Sequence, residues 1–573
     1  MAKKFYVVSE KNLDEKIKKT LNTVFDNFVN DGYFTSKENI RISYDKNIQK
    51  DNYSVGDIIF VLSEEINAEE EFELHISVEK VVTIKANPCG CRGVLYGANM
   101  FLKYVREYGR NNLPEMAIKS CPDTKERTVM LDCARKYFTP EWIKNFIRMI
   151  SWMGYNSLEL HFTEEQGIRM NIWDSDFFKS ANGNDFSWIC GSKSARWVEN
   201  CPDPDAGKFL TTAEIVDILN TAEKYCIEII PAFDMPGHSN YLTYTYRKHV
   251  ATLGAEDKIF GYHGKVYTLS GCYGNGTARF INNGGKEYTD WNDILHWKFN
   301  SCVDVTNPVA RSFLLALIED YADFFKKYGC KKFNICGDEV VLEYEGVTCA
   351  VGWTRDTFTE FMNEVAGILK AKGYKVRAFN DFLCKSAENG GGTAELDKDI
   401  EICYWDKTEG GREVEYFINQ GRTIYNCISS YCYYVLRLNP SDSWQVGMDA
   451  RSEDNKYFGF CPRQSAKSIW HGKERDISAG WAPHRVHTHN ESAPIVTGEQ
   501  LGGAYYLIWC DYAGLSTEDE IINGIDASGK YNLPERMWAN IFKMWDWECE
   551  KKMSFEEFKE KTLKYGLYPG CSK

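Results

Sequence analysis

From about residue 126 the chain repeats one pattern: a short apolar run, a polar tip, then a longer segment with apolar residues on a helical period. The runs are Val129–Arg135, Ser157–Phe162, Ile227–Asp234, Lys331–Glu339, Lys375–Asp381, Ile400–Trp405, Thr423–Ile428 and Ala504–Trp509, and each reads as a buried strand. The segments between them carry helix starts. Thr139 precedes Pro140 ahead of Trp142–Met153; Thr211 and Glu214 form a capping box; Asn307-Pro308 opens a helix to Lys327; a further helix spans Thr357–Lys372. Eight strands alternating with helices predict an α/β fold of the (β/α)8 TIM-barrel type. A doubly wound open sheet would more often carry a glycine-rich phosphate turn, and neither G-x-G-x-x-G nor G-x-x-x-x-G-K occurs.

Residues 1–122 have a different rhythm and read as a small α+β domain in front of a barrel domain spanning 123–573. Its strands are Asp57–Leu62, Glu73–Val78 and Val82–Ala86, with a helix over Gly93–Val105, and none of its residues suggests chemistry. Two long insertions, 241–303 and 437–500, follow strand tips. On a barrel they would wall a cleft on the C-terminal face. Helices around Pro534–Glu548 and after Ser554 close the chain.

Composition narrows the partners. A net charge of −14 argues against nucleic acid and anionic membrane, which need a basic face. No apolar stretch approaches the ~18 residues of a membrane helix, and the N-terminus lacks a signal-type apolar region. A cytoplasmic protein is expected, although a chain trimmed of its signal would read the same. The 20 cysteines are scattered through apolar runs (Cys133, Cys226, Cys403, Cys427) and read as small reduced hydrophobes.

A barrel collects its chemistry at strand C-termini. Those tips hold Arg135; His161 with Glu164 and Glu165; Asp234 and His238; Asp338 and Glu339; Phe379 and Asp381; Trp405 and Asp406; Tyr433 and Tyr434; Trp509 and Asp511. Sugars stack apolar C–H faces on aromatic rings and exchange hydrogen bonds with Arg, Asp and Glu, so this ring has the composition of a carbohydrate site. The adjacent carboxylates Asp338 and Glu339 suit acid/base work, because crowding lets one stay ionised while the other keeps its proton. His484, His487 and His489 cluster in the second insertion without an acidic or cysteine partner. They read as polar loop histidines, and neither a metal nor another cofactor is expected.

Four segments resemble family 20 glycoside hydrolases, the β-N-acetylhexosaminidases and lacto-N-biosidases, in that family's order. Met130-Leu131-Asp132-Cys133-Ala134-Arg135-Lys136-Tyr137-Phe138 is similar to its Leu-Asp-x-x-Arg-x-x-Phe opening. His161-Phe162-Thr163-Glu164-Glu165-Gln166-Gly167-Ile168-Arg169 resembles His-Leu-Thr-Asp-Asp-Gln-Gly-Trp-Arg; Asp234-Met235-Pro236-Gly237-His238 matches Asp-x-Pro-Gly-His. Asn334-Ile335-Cys336-Gly337-Asp338-Glu339-Val340 resembles His-x-Gly-Gly-Asp-Glu-Val. The N-terminal domain also resembles a module these enzymes carry.

The resemblance implies a retaining hydrolase of terminal β-linked GlcNAc or GalNAc in glycans or oligosaccharides, in which the substrate's 2-acetamido oxygen replaces an enzymic nucleophile. Glu339 is then the acid/base, Asp338 orients the acetamido N–H, and Tyr434, with Tyr433 as fallback, bonds the acetamido oxygen. Trp405, Trp509 and Phe379 wall the pocket, Arg135 and Asp511 hold hydroxyls, and His238 with Glu164 tunes Glu339 over His161 and Asp234. The sequence departs from the family at Asn334, Cys336, Glu164 and Leu436. Leu436 replaces a sugar-contacting aspartate, which keeps release of a disaccharide, the lacto-N-biosidase reaction, as the alternative. A carbohydrate-binding protein without turnover is the third reading.

Overall fold

The computed structural model describes residues 4–9, 12–35, 40–43, 53–164, 167–191, 205–239, 241–242, 257–272, 280–282, 287–288, 303–340, 343–344, 347–348, 354–380, 393–405, 412–435, 466–471, 481–486, 495–510, 518 and 533–571. The first sheet holds β1 (Phe5–Ser9), β2 (Ile40–Ser43), β3 (Ile58–Leu62), β4 (Phe72–Ile76), β5 (Val82–Ala86) and β6 (Met116–Ser120), in the order β2-β1-β3-β5-β4-β6. Helices α1 (Glu15–Asn30) and α2 (Cys91–Tyr108) pack together beside it, with Phe28 stacked on Phe101. The apolar pattern predicts β3, β4, β5 and α2 and leaves β1, β2, α1 and β6 unnamed; β6 is an edge strand that alternates exposed with half-buried residues and buries no face.

The barrel follows. Its strands are β7 (Glu126–Asp132), β8 (Ser157–His161), β9 (Glu228–Ala232), β10 (Lys332–Asn334), β11 (Lys375–Phe379), β12 (Glu401–Tyr404), β13 (Ile424–Asn426) and, after a short β14 (Tyr433–Val435), β15 (Leu501–Trp509). Every neighbouring pair is parallel, and β15 pairs with both β13 and β7, which closes the ring of eight. All eight expected runs form these strands. The fourth is much shorter than its apolar run, ending at Asn334 rather than carrying Asp338 and Glu339 on regular strand.

Outside lie α3 (Pro140–Met153), α4 (Thr212–Lys224), α5 (Pro308–Lys327), α6 (Arg355–Ala371), α7 (Val414–Asn419), α8 (Leu533–Trp545) and α9 (Phe555–Tyr565). Thr139 and Asn307 cap α3 and α5 ahead of a proline, and Thr211–Glu214 and Ser554–Glu557 form complete capping boxes.

The barrel interior is polar at its floor. Arg377 donates to both oxygens of Glu126 at 2.6 and 2.8 Å and to Glu401 at 3.1 Å; Lys332 bridges Glu126 and Glu228. Burial opposes the Glu126 charge, but Arg377 and Lys332 outweigh it and hold the carboxyl well below its ordinary range. One layer up, Tyr505 donates to Glu159 at 2.8 Å and Asn334 donates to the other oxygen at 3.0 Å. Asn334 also accepts from the Cys336 backbone at 2.9 Å. The residue that departs from the family histidine thus ties the barrel core to the loop bearing the carboxylate pair.

Candidate active site

Beyond Asn334 the chain leaves the strand and turns tightly: Cys336, Gly337 and Glu339 all adopt positive φ, at 50°, 79° and 47°. Gly337 suits the turn because its φ of 79° lies in the left-handed region that disfavours side chains; a Cβ there would also press on the mobile Met362 Cε at 2.7 Å. Gly237, in the loop after β9, likewise lets that loop approach Val340, which a Cβ would meet at 3.0 Å. The turn separates two adjacent carboxylates by environment. The Asp338 side chain is 12% exposed, whereas that of Glu339 is 50% exposed at the mouth.

His238 joins them to the rest of the site. Its Nε2 lies 3.5 Å from Glu339 and 3.8 Å from Asp338, and its Nδ1 lies 3.2 Å from Glu164 Oε2. Glu164 Oε1 is bound by Arg135 at 2.7 Å and faces His161 Nε2 at 3.4 Å. Arg135 also reaches Asp132 at 2.9 Å. Glu164, one methylene longer than the family's aspartate, spans both histidines and the arginine. Beneath it, His161 Nδ1 lies 3.7 Å from the Cys336 thiol, the second departure from the family pattern.

Charges follow this geometry. Burial raises Glu164, but Arg135 and His238 overcome it and hold the carboxyl well below its usual range. Burial opposes the His238 charge, yet Glu164 and the contact to Glu339 hold it well above the usual imidazole range, as an imidazolium. Burial lifts Asp338 above the ordinary aspartate range, Glu339 and Glu164 push the same way, and His238 opposes them. Asp234 is lifted well above its range by burial and by Asp338; its Oδ1 takes the Gly337 N–H at 3.3 Å, and its Oδ2 accepts no hydrogen bond among the described residues. Potential ligand atoms of Asp234, His238 and Asp338 lie within 4.8 Å of one another, as do those of His161, Glu164 and Asp234.

Across the mouth runs an aromatic wall. Trp405 stacks on Tyr433 at 6.1 Å, Tyr433 contacts Trp509 at 5.8 Å, Phe379 meets Trp509 at 6.3 Å, and His161 meets it edge-on at 5.2 Å. Arg135 lies over the Trp509 ring at 5.3 Å. One expectation is corrected. Tyr434 does not join this wall: it is 0% exposed and lies under Arg536 of α8, on the outer side of the barrel. Successive residues of a strand face opposite ways. In the parallel register Tyr433 sits opposite Leu507 and Tyr434 opposite Ile508, so only Tyr433 shares the inward face with Tyr505 and Trp509.

Asp511, Asp381, Asp406, Glu165, Leu436, His487 and His489 lie outside the described residues. His484 packs on Trp547 at 4.3 Å, and burial pulls its imidazole down to about 4. Of the two insertions, described strands at Phe280–Asn282 and Glu287–Tyr288 join Val347–Thr348 and Glu343–Tyr344 in a small sheet. The loop after β9 therefore pairs with the segment just past Glu339.

Residues 125–482 match the catalytic domain of glycosyl hydrolase family 20. The chain belongs to that family. Among curated family 20 relatives, the lacto-N-biosidase of Bifidobacterium bifidum is 23% identical over 401 residues, covering 66% of this chain and 28% of that protein. The β-hexosaminidase of Vibrio vulnificus is 22% identical over 497 residues, covering 80% of this chain and 52% of that one. The chain thus spans about half the length, or less, of these relatives. In fold it is similar to the exo-β-N-acetylglucosaminidase of Vibrio harveyi, with a TM-score of 0.63 at 15% identity over 99% of this chain and 73% of that one. It is also similar to the β-N-acetylhexosaminidase of Streptomyces coelicolor A3(2), with a TM-score of 0.59 at 17% identity over 98% and 92%.

Proposed function

We propose that this family 20 chain hydrolyses the bond to a terminal β-linked N-acetylhexosamine, with the substrate's own acetamido oxygen as nucleophile. The observation that carries the reading is the division between Asp338, buried, and Glu339, half-exposed, on one turn and both facing His238. An enzyme with its own nucleophile places two carboxyls about 5 Å apart on opposite sides of the sugar. Neighbours on a single turn serve one side, and the acetamido group takes the place of the missing nucleophile.

Glu339 donates its proton to the leaving oxygen as the glycosidic C–O bond breaks and the acetamido oxygen bonds to the anomeric carbon. It then removes a proton from the water that reopens the oxazolinium ion, which gives net retention. Asp338, ionised, accepts the acetamido N–H and stabilises the positive charge that develops on the ring. The wall of Phe379, Trp405 and Trp509 suits the apolar acetamido methyl group. Arg135, with Asp511 from the sequence, completes the hydroxyl contacts. Relatives named as β-hexosaminidases and as a lacto-N-biosidase support this substrate class.

Tyr433 takes the part of acetamido-oxygen donor. Tyr433→Phe is expected to lower kcat about 10²-fold, the size of loss when the group that holds a nucleophile in line with the reacting carbon is removed. Tyr434→Phe should leave kcat within about threefold and cost about 1 kcal/mol of stability, read by thermal unfolding. The reverse pattern would return the role to Tyr434.

The second reading is disaccharide release, favoured by the lacto-N-biosidase alignment and by Leu436 in place of a sugar-contacting aspartate. Assay with p-nitrophenyl β-GlcNAc and p-nitrophenyl lacto-N-bioside separates the two. Turnover of the monosaccharide glycoside is the expected result; turnover of the disaccharide glycoside alone would replace the first reading with the second.

A further inference from the structure

Where the first sheet and α2 meet α8 and α9, they frame a half-open cavity of about 280 Å³, lined mostly by aromatic and aliphatic side chains. None of the strand-tip residues lines it. That volume approaches the lower end of small-molecule sites. Lys103, on α2, is 6% exposed and lines the cavity, with its Nζ 5.1, 5.0 and 5.7 Å from the ring centres of Trp152, Trp538 and Tyr565.

Among the described residues no carboxylate or carbonyl accepts from Lys103. Its neighbour Arg106, by contrast, is matched by Asp31 and by the carbonyls of Tyr565 and Leu567. Rings attract an ammonium only weakly compared with a carboxylate, so burial, with Arg106 adding, pulls the amine down to about 7. Lys552 and Lys561 line the cavity too, paired with Asp546 at 2.6 Å and Glu107 at 3.8 Å. An uncompensated buried cation among rings is costly, and a ligand carboxylate would remove that cost.

We propose that this cavity is a second ligand site, which takes an apolar carboxylic acid with its carboxylate on Lys103 and its body among the surrounding rings.

The test is calorimetric titration of the full chain with 4-phenylbutyrate and with the uncharged 4-phenylbutanol. One acid is expected to bind per chain with a Kd tighter than about 1 mM, as suits a ligand of this size. Lys103→Met, which keeps the apolar stem, should weaken the acid at least about tenfold and leave the alcohol unchanged, while the native chain prefers acid to alcohol by a similar factor. Met100→Trp, which fills the cavity, should abolish both. Near-ultraviolet circular dichroism confirms that each variant is folded; should either fail to fold, the native preference for acid over alcohol and the other variant still decide. Equal affinity for acid and alcohol, undiminished acid binding by folded Lys103→Met, or no binding by the native chain at 5 mM would overturn the proposal.

Discussion

Glu339→Gln is expected to lower kcat about 10³-fold with little change in KM, the loss that removal of a positioned general acid produces. The amide keeps the size and leaves the His238 contact as a neutral hydrogen bond. It has no proton to give the leaving oxygen and no basic oxygen for the incoming water. Substrate affinity, set by the aromatic wall and the hydroxyl contacts, should persist and is measurable by calorimetry. This variant also decides against a purely sugar-binding protein: unchanged turnover in Glu339→Gln would remove the acid assignment, and absence of turnover in the native chain on either glycoside would favour the binding reading.

Asp338→Asn is expected to cost about 10²–10⁴-fold in kcat, since the amide cannot carry the charge that faces the oxazolinium-like transition state. The same substitution should raise the unfolding temperature near neutral pH. The sign follows from the raised pKa of Asp338 in the folded chain. A carboxyl that binds its proton more tightly when folded stabilises the fold at low pH, and that contribution is lost as pH rises through the folded value. At neutral pH the ionised Asp338 is therefore a net strain on the fold, which Asn relieves. Activity runs the opposite way: it requires the ionised form, so the acid limb of kcat/KM should lie above the ordinary aspartate range. Glu164 behaves oppositely. Its depressed pKa contributes stability above the ordinary glutamate range, lost as pH falls through the folded value. Stability of the native chain against pH, compared with that of Asp338→Asn, separates the two contributions. A lower unfolding temperature for Asp338→Asn near neutral pH would show that the pairing with His238 outweighs burial.

The barrel was legible because both of its periods are strong. Buried parallel strands read as continuous apolar runs, and the caps at Thr139, Thr211, Asn307 and Ser554 mark helix starts by local chemistry alone. The carboxylate pair was legible because strand order put it at a tip. What the sequence could not resolve is instructive. Tyr433 and Tyr434 are adjacent and chemically identical, so only the register against β15 decides which faces inward. Arg377 and Glu126 form the floor of the barrel across 251 residues, a pairing that no local pattern announces. Asn334 and Cys336 looked like departures weakening the site. In the fold they have partners of their own, Glu159 and His161, so the substitutions change what supports the turn without leaving it unsupported.

The central claim is that the acetamido oxygen of the substrate, held by Asp338 and Tyr433, is the nucleophile. It is tested most directly by kcat/KM across p-nitrophenyl glycosides whose N-acetyl group is unsubstituted, monofluorinated, difluorinated or trifluorinated, built on whichever sugar the chain turns over. Each fluorine withdraws electrons from the carbonyl oxygen and makes it a poorer nucleophile. The account predicts a steep fall along the series, about tenfold or more per fluorine, the size of effect expected when the altered bond forms in the transition state. A rate that stays flat across the four substrates would contradict it and place the nucleophile outside the substrate, on the protein or on a water.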